Sequence, residues 1–255
     1  MSKLSAIILT KNSENDIVDC IESVKSLAEE IIIIDDNSTD RTVSLAGRLG
    51  ARVETCKDEL LNFAGRRNLG LKKAKNKWIF YIDSDERVTD ELKESILKVI
   101  NKRESEYQAY RILRKNYYFG THEWPFIESL ERLFIKSSLK GWHGEVHETP
   151  MVEGEVGQLN GFLLHYTHKD LTSMVNKTIA WSKIEAELRF KAHHPPVVWW
   201  RFPRVMLTAF YDSYIRQKGY KAGTVGLIES VYQSFSMFIT YARLWEMQQK
   251  KNNAK

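Results

Sequence analysis

The sequence predicts an α/β protein: a mainly parallel sheet flanked by helices, followed by a helical C-terminal extension. Three observations predict it. Short apolar runs alternate with segments of helical periodicity, four times over, up to residue 101. Three of the apolar runs stop abruptly in polar clusters. The break His193-His194-Pro195-Pro196 then separates this pattern from an aromatic, basic stretch. The predicted division is residues 1–194 and 195–255.

Residues 4–9 (LSAIIL) read as the first strand, ending at Thr10-Lys11-Asn12. Residues 14–27 carry Ile17, Val18, Ile21, Val24 and Leu27 at helical spacing, with Ser13 as N-cap. Four isoleucines, 31–34, form a β-branched second strand that ends in Asp35-Asp36-Asn37-Ser38. Ser38 or Thr39 is the expected cap of a helix running to Leu49, where Gly50 stops it. Residues 51–54 are a short third strand, and 63–74 a basic helix containing Arg66, Arg67 and Asn68. The fourth strand is WIFYI, 78–82, broken by Asp83-Ser84-Asp85-Glu86, with a capped helix from Thr89 to about residue 101. An unbroken apolar run fits a strand buried on both faces. Repeated strand–helix units imply right-handed crossovers, and ligands then sit beyond the carboxyl ends of the strands.

The polar clusters at Thr10-Lys11-Asn12, Asp35-Asp36 and Asp83-Ser84-Asp85 therefore share one edge. Three carboxylates at a strand end call for a cation, and a hard divalent metal takes carboxylate oxygens and brings phosphate oxygens with it. No G-x-G-x-x-G follows the first strand, no G-x-x-x-x-G-K-[ST] is present, and no G-x-S-x-G occurs, so dinucleotide, P-loop and hydrolase-elbow chemistries are disfavoured. An acidic metal-binding edge beside a basic helix suits a nucleotide diphosphate.

The stretches LSAIILTKN, IIIIDDNSTDRT, AGRRNLGLKKAKNKWIFYIDSDE and GEVHE, in this order over residues 4–148, resemble the family 2 glycosyltransferases. The likeness is to bacterial β-1,4-glucosyltransferases of the lipopolysaccharide core. It implies a GT-A fold and inverting transfer from a nucleotide sugar, UDP-glucose by default, to a lipopolysaccharide-core or other cell-envelope glycan. It also implies roles. Thr10 and Asn12 lie where the family meets the nucleotide; Asp36, or Asp35, holds the uracil; Arg66 or Arg67 lies near base or phosphate, Arg67 being favoured as part of the Arg67-Asn68 pair. Asp83 faces the ribose beside Ser84, and Asp85 the metal, Mn²⁺ or Mg²⁺; Glu86 buttresses the turn. Members often carry Glu-Asp where this chain has His147-Glu148, so the base falls to Glu148, with Glu145 next. Some GT-A enzymes use a C-terminal histidine as a second metal ligand, which points to His165, with a structural histidine as the alternative.

Residues 107–113 and 133–135 read as strands of a smaller mixed half, with an aromatic stretch (Tyr117, Tyr118, Phe119, His122, Trp124, Phe126) between them. That stretch is either core or a sugar-stacking surface. Gly144 between His143 and His147 disfavours a helical zinc pair. Residues 171–192 are a long helix, and 227–247 an aromatic-rich one after a glycine-containing hinge at 219–226.

The chain carries a net +5, yet residues 195–255 hold nine Lys/Arg and three Asp/Glu, so the basic character belongs to this quarter. Arg201, Arg204, Asp212 and Glu229 interrupt its apolar segments, which fit an anionic membrane surface better than a span; a core or homo-oligomer interface is the alternative. Two cysteines without C-x-x-C, and only a short apolar run near the N-terminus, fit a cytoplasmic protein on the inner face of the membrane. No nucleic-acid partner is expected. Other readings are a transferase acting on peptide, a nucleotidyltransferase, and a non-catalytic nucleotide-sugar-binding scaffold. A nucleotidyltransferase would carry a Gly- and Arg/Lys-rich loop after the first strand, which is absent.

Overall fold

The computed structural model describes residues 4–56, 62–144 and 148–253. The chain forms two compact units, Met1–Lys115 with Glu128–His165, and Asn116–Ile127 with Tyr166–Lys255.

The first unit is built on an eight-stranded sheet. In chain order its elements are β1 (Leu4–Thr10), α1 (Ile17–Lys25), β2 (Glu30–Asp35), α2 (Thr42–Arg48), β3 (Arg52–Thr55), α3 (Phe63–Lys73), β4 (Trp78–Asp83), β5 (Glu86–Val88), α4 (Asp90–Ile100), β6 (Ala109–Tyr118), β7 (His122–Ile135), β8 (Leu139–His143), β9 (Thr149–Val152) and β10 (Val156–Tyr166). The strand order is β3-β2-β1-β4-β7-β6-β10-β5, with β8 and β9 paired separately. The four strands β3, β2, β1 and β4 are parallel, while β7 runs antiparallel to β4. This is the predicted architecture. Every residue of β1 is buried, as are the first five of β4, because both sheet faces are covered. Alternation divides them: Leu4, Ala6, Ile8, Phe80 and Ile82 pack with α1 and α4, whereas Ile7, Leu9, Ile79 and Tyr81 pack on the opposite face with Ala64 of α3. Gly70 seats α3 on that face, since a Cβ there would lie 2.5 Å from Ile7 Cγ2.

The structure corrects the expected caps. Ser13, Ser38 and Thr39 do not cap helices; α1 and α2 begin after Asp16 and Arg41, without side-chain caps. Instead these residues join loops. Ser13 N–H donates to Thr42 Oγ1 (2.7 Å) and Asn12 N–H to Ser38 Oγ (2.8 Å). Non-local bonds thus replace the local ones that spacing suggested. The aromatic stretch is not a connection either. It forms the ends of β6 and β7, which turn through Phe119 (φ 48°) and Gly120 (φ 84°).

The second unit holds that hairpin tip and the helices α5 (Leu171–Lys191), α6 (Arg201–Tyr211) and α7 (Gly223–Asn253), with a π-helical turn at Asp212–Arg216 and a 3-10 turn at Gly219–Ala222. Asp170 and Ser173 form a reciprocal capping box at α5. Ala186, Val197, Tyr241 and Leu244 make a small apolar core. Glu229, 1% exposed, is bonded to His168 Nδ1 (3.1 Å) and to Gln233 (2.6 Å). Among the described residues no helix is long and apolar enough to cross a membrane.

Candidate active site

Parallel pairing aligns the polar strand ends. Thr10 of β1 stands opposite Asp35 of β2, and Leu9 opposite Asp83 of β4. Thr10 and Asp35 are both buried. Asp35 Oδ2 accepts the Ser38 N–H (3.0 Å), but Asp35 Oδ1 and Thr10 Oγ1 have no hydrogen-bond partner among the described residues. Buried polar atoms left unpaired are rare, and Arg66 Nε, Arg67 Nη1, Arg132 Nε and Trp142 Nε1 of the same region are unpaired as well. Asp36 is paired: its Oδ2 meets Lys11 Nζ (2.9 Å) and Arg66 Nη2 (2.8 Å). Asn12, in the left-handed region at φ 47°, accepts the Thr39 N–H through Oδ1 (2.8 Å). Its side chain, exposed at the surface, braces the loop through this bond. Ser84 Oγ lies 2.9 Å from Ser13 Oγ, tying the β4 end to the loop after β1.

A second group is held by charge. From one end to the other it reads Glu148, Arg67, Asp83, Arg132, Glu86, Arg114, Glu128. Arg67 Nε donates to Glu148 Oε1 (2.9 Å), and its Nη2 to Asp83 Oδ1 (3.1 Å). Arg132 Nη2 donates to Asp83 Oδ2 (2.8 Å) and lies 3.3 Å from Glu86 Oε1. Arg114 Nη1 donates to Glu86 Oε1 (2.9 Å) and its other edge grips Glu128. Glu86 Oε2 also accepts the Asp83 N–H (2.9 Å), closing the turn between β4 and β5. Burial pushes the Asp83 carboxyl up, but Arg132, Arg67 and Arg114 outweigh it and hold the group well below the usual carboxylate range. Burial likewise opposes the Arg67 charge, and Asp83 and Glu148 override it, raising its pKa.

Arg67, expected from the sequence beside the donor, is tied to two carboxylates through Nε and Nη2, while its Nη1 has no hydrogen-bond partner among the described residues. It is 3% exposed, and its guanidinium lies over the rings of Trp142 (4.9 Å) and Tyr81 (5.6 Å). Arg66, not Arg67, reaches Asp36. The sequence reading missed Arg114 and Arg132. Arg132 opens the buried run Arg132-Leu133-Phe134, and a charge directly preceding an apolar strand segment was the available signal.

Asp85 Oδ2 and His165 Nε2 lie 3.2 Å apart, with side chains 35% and 12% exposed. Their approach follows from the pairing of β10 with β5, where His165 stands opposite Glu86. Among the described residues no group of three or more His, Cys, Asp or Glu gathers as a metal cage. Two donors of this kind fit a divalent cation whose remaining positions are filled by water and ligand phosphate. Glu145 lies outside the described residues.

Comparisons with known proteins agree with this geometry. The model of the family described as Glycosyl transferase family 2 matches residues 5–148, a span that begins in β1 and ends on Glu148. An uncharacterized glycosyltransferase of Rickettsia typhi, RT0209, is 27% identical over 274 residues, covering 99% of this chain and 90% of the relative. The lipopolysaccharide core biosynthesis glycosyltransferase LpsC of Rhizobium meliloti is 28% identical over 254 residues, covering 95% and 92%. The crystal structure of S. aureus TarS 1-349 in complex with UDP-GlcNAc superposes with a TM-score of 0.51 at 14% identity, covering 98% of this chain and 92% of that one. That likeness is one of fold.

Proposed function

This chain belongs to glycosyl transferase family 2, and from that membership we propose that it transfers a sugar, by a single inverting displacement, from a UDP-sugar to a cell-envelope glycan. The observation that carries the reading is the alignment of Thr10, Asp35 and Asp83 at one sheet edge with Glu148 joined to that edge through Arg67. The unpaired Thr10 Oγ1 and Asp35 Oδ1 suit the polar edge of a uracil, with Asp36 and Arg66 beside them. The UDP-GlcNAc bound by TarS supports a UDP-sugar, and the naming of LpsC supports a lipopolysaccharide-core acceptor. Glucose is proposed as the sugar.

Glu148 takes the proton from the acceptor hydroxyl as that oxygen attacks the anomeric carbon, and the nucleotide diphosphate leaves from the opposite face. Asp83 receives ribose hydroxyls. Asp85 and His165 are the residues that would hold a divalent cation, Mn²⁺ or Mg²⁺, and such a cation would supply positive charge to the departing diphosphate.

We also propose that the second unit attaches to an anionic membrane surface, peripherally on the inner face. Trp199 is 80% and Leu207 69% exposed, with Tyr211 and Ile215 also exposed along the helix. The Arg201 and Arg204 guanidiniums lie 5.3 and 5.9 Å from the centre of the Trp200 ring. Aromatic rings beside arginines on a basic surface suit an interface with acidic headgroups.

A thermal-shift panel of nucleotide sugars, with and without Mn²⁺ or Mg²⁺, tests the donor. Stabilisation by UDP-sugars in a metal-dependent manner, lost in Asp85→Ala, is expected; stabilisation by none overturns the reading. Flotation with anionic vesicles at low salt tests the membrane: full-length protein that stays unbound overturns the attachment.

A further inference from the structure

We infer that Arg67 is a positioning residue that fixes Glu148 relative to the donor edge. The inference rests on reading Glu148 as the base. It starts from how Arg67 is anchored. Gly70, one turn on, brings α3 against Ile7 of β1, so the helix backbone is seated on the sheet. Tyr81 Oη donates to the Arg67 carbonyl (2.9 Å), joining α3 to β4 as well. The guanidinium lies over both the Tyr81 and Trp142 rings, which fix its plane.

Two different edges of that plane are in use. Nε serves Glu148 and Nη2 serves Asp83, so one rigid fork sets the separation of the two carboxylates. The next residue repeats the device. Asn68 Nδ2 donates to the Trp142 carbonyl (2.9 Å), and Asn68 Oδ1 accepts the Trp142 N–H (2.8 Å). Neighbouring residues of α3 thus hold Trp142 and Glu148, six positions apart in the chain. The roles within the cluster are unequal. Asp83 has a second cation in Arg132, at 2.8 Å. Among the described residues Arg67 is the cation paired to Glu148. Removing Arg67 leaves Asp83 held and Glu148 without its charged partner.

At 3% exposure Arg67 gives Nε and Nη2 to the two carboxylates, while its Nη1 has no hydrogen-bond partner among the described residues. Arg66 is paired with Asp36 at the nucleotide end. Loss of Arg67 should therefore lower turnover and leave donor affinity nearly intact, whereas loss of Arg66 should do the reverse.

The experiment measures UDP release from UDP-glucose, or from whichever UDP-sugar stabilises the protein most, with water as acceptor. Arg67→Ala is expected to lower kcat on the order of 10²-fold, as a misplaced catalytic group does, with donor KM changed by less than about threefold. Added guanidinium should restore part of that loss. Arg67→Lys should fold and bind UDP but recover little of kcat, because a point charge cannot span both carboxylates. In an Arg67→Ala/Glu148→Gln double variant the losses should not multiply. Should Arg67→Ala fail to fold, Arg67→Lys alone carries the kcat–KM comparison. A raised donor KM with kcat unchanged in either Arg67 variant, or multiplying losses in the double variant, overturns the inference. Wild-type turnover in Glu148→Gln overturns the base assignment, and the positioning role falls with it; wild-type turnover in Arg67→Lys alongside an inactive Glu148→Gln overturns the positioning role alone.

Discussion

The two ends of the site solve the problem of buried polarity in opposite ways. At the ends of β1 and β2, Thr10 Oγ1 and Asp35 Oδ1 are buried and unpaired. A few residues away, at the end of β4, Asp83 and Glu86 are gripped by Arg67, Arg132 and Arg114. The first arrangement leaves capacity open, so a ligand gains hydrogen bonds there that water no longer makes. The second pairs its carboxylates with arginines, which fixes their geometry, although Arg67 Nη1 and Arg132 Nε have no hydrogen-bond partner among the described residues.

Variants can break this contrast, starting at the catalytic side. Glu148→Gln should lower turnover by about 10²–10⁴-fold, the usual contribution of a general base, with UDP-induced thermal stabilisation retained. Wild-type turnover would contradict the assignment. Glu86→Gln removes one charge from between two buried arginines, and about 3–5 kcal/mol of stability should go with it, read from urea unfolding. A loss below about 1 kcal/mol would mean that the arginines find water instead.

The pH dependence sharpens the same point. The native pKa of Asp83 lies below its unfolded value, so its contribution is complete above the unfolded pKa of about 4 and is lost as the pH falls toward the native one. Wild-type stability should therefore decline below about pH 4 more steeply than that of Asp83→Asn; parallel acid limbs would refute the pairing. At the nucleotide end the balance should invert. Thr10→Val replaces an unpaired hydroxyl with a methyl of similar shape, so stability should change by less than about 1 kcal/mol while UDP binding weakens by roughly tenfold. Unfolding and UDP titration of one sample read both. The smallest effect is expected from Lys11→Ala. Its side chain is 61% exposed, so its bond to Asp36 should contribute about 0–1 kcal/mol, and Arg66 remains to hold the carboxylate.

Much of the nucleotide end was legible in the sequence. Runs such as Ile31–Ile34 fix both the strand and where it stops, and parallel pairing then brings Thr10, Asp35 and Asp83 to one edge. Asp85 and His165 also proved to be neighbours. What could not be read was anything set by a pairing between distant strands. Arg132 reaches Asp83 because β7 runs back along β4 with Leu133 opposite Phe80, 53 positions away in the chain, and no local pattern announces that register. Arg67 shows the related difficulty. Two adjacent basic residues on a helix look alike in sequence, but they point about 100° apart, and only packing decides which turns inward. Ser13 and Ser38 misled for a different reason: a serine suits a cap and a loop-to-loop bond equally well.

Gly70 gives this layout a final consequence. Its missing side chain admits Ile7 and so sets how closely α3 approaches β1. Arg66 and Arg67 ride on that one helix, so the proposed nucleotide end and the proposed base share a single mechanical datum. A methyl added at position 70 would lift both arginines together, detuning recognition and chemistry in the same stroke without touching either.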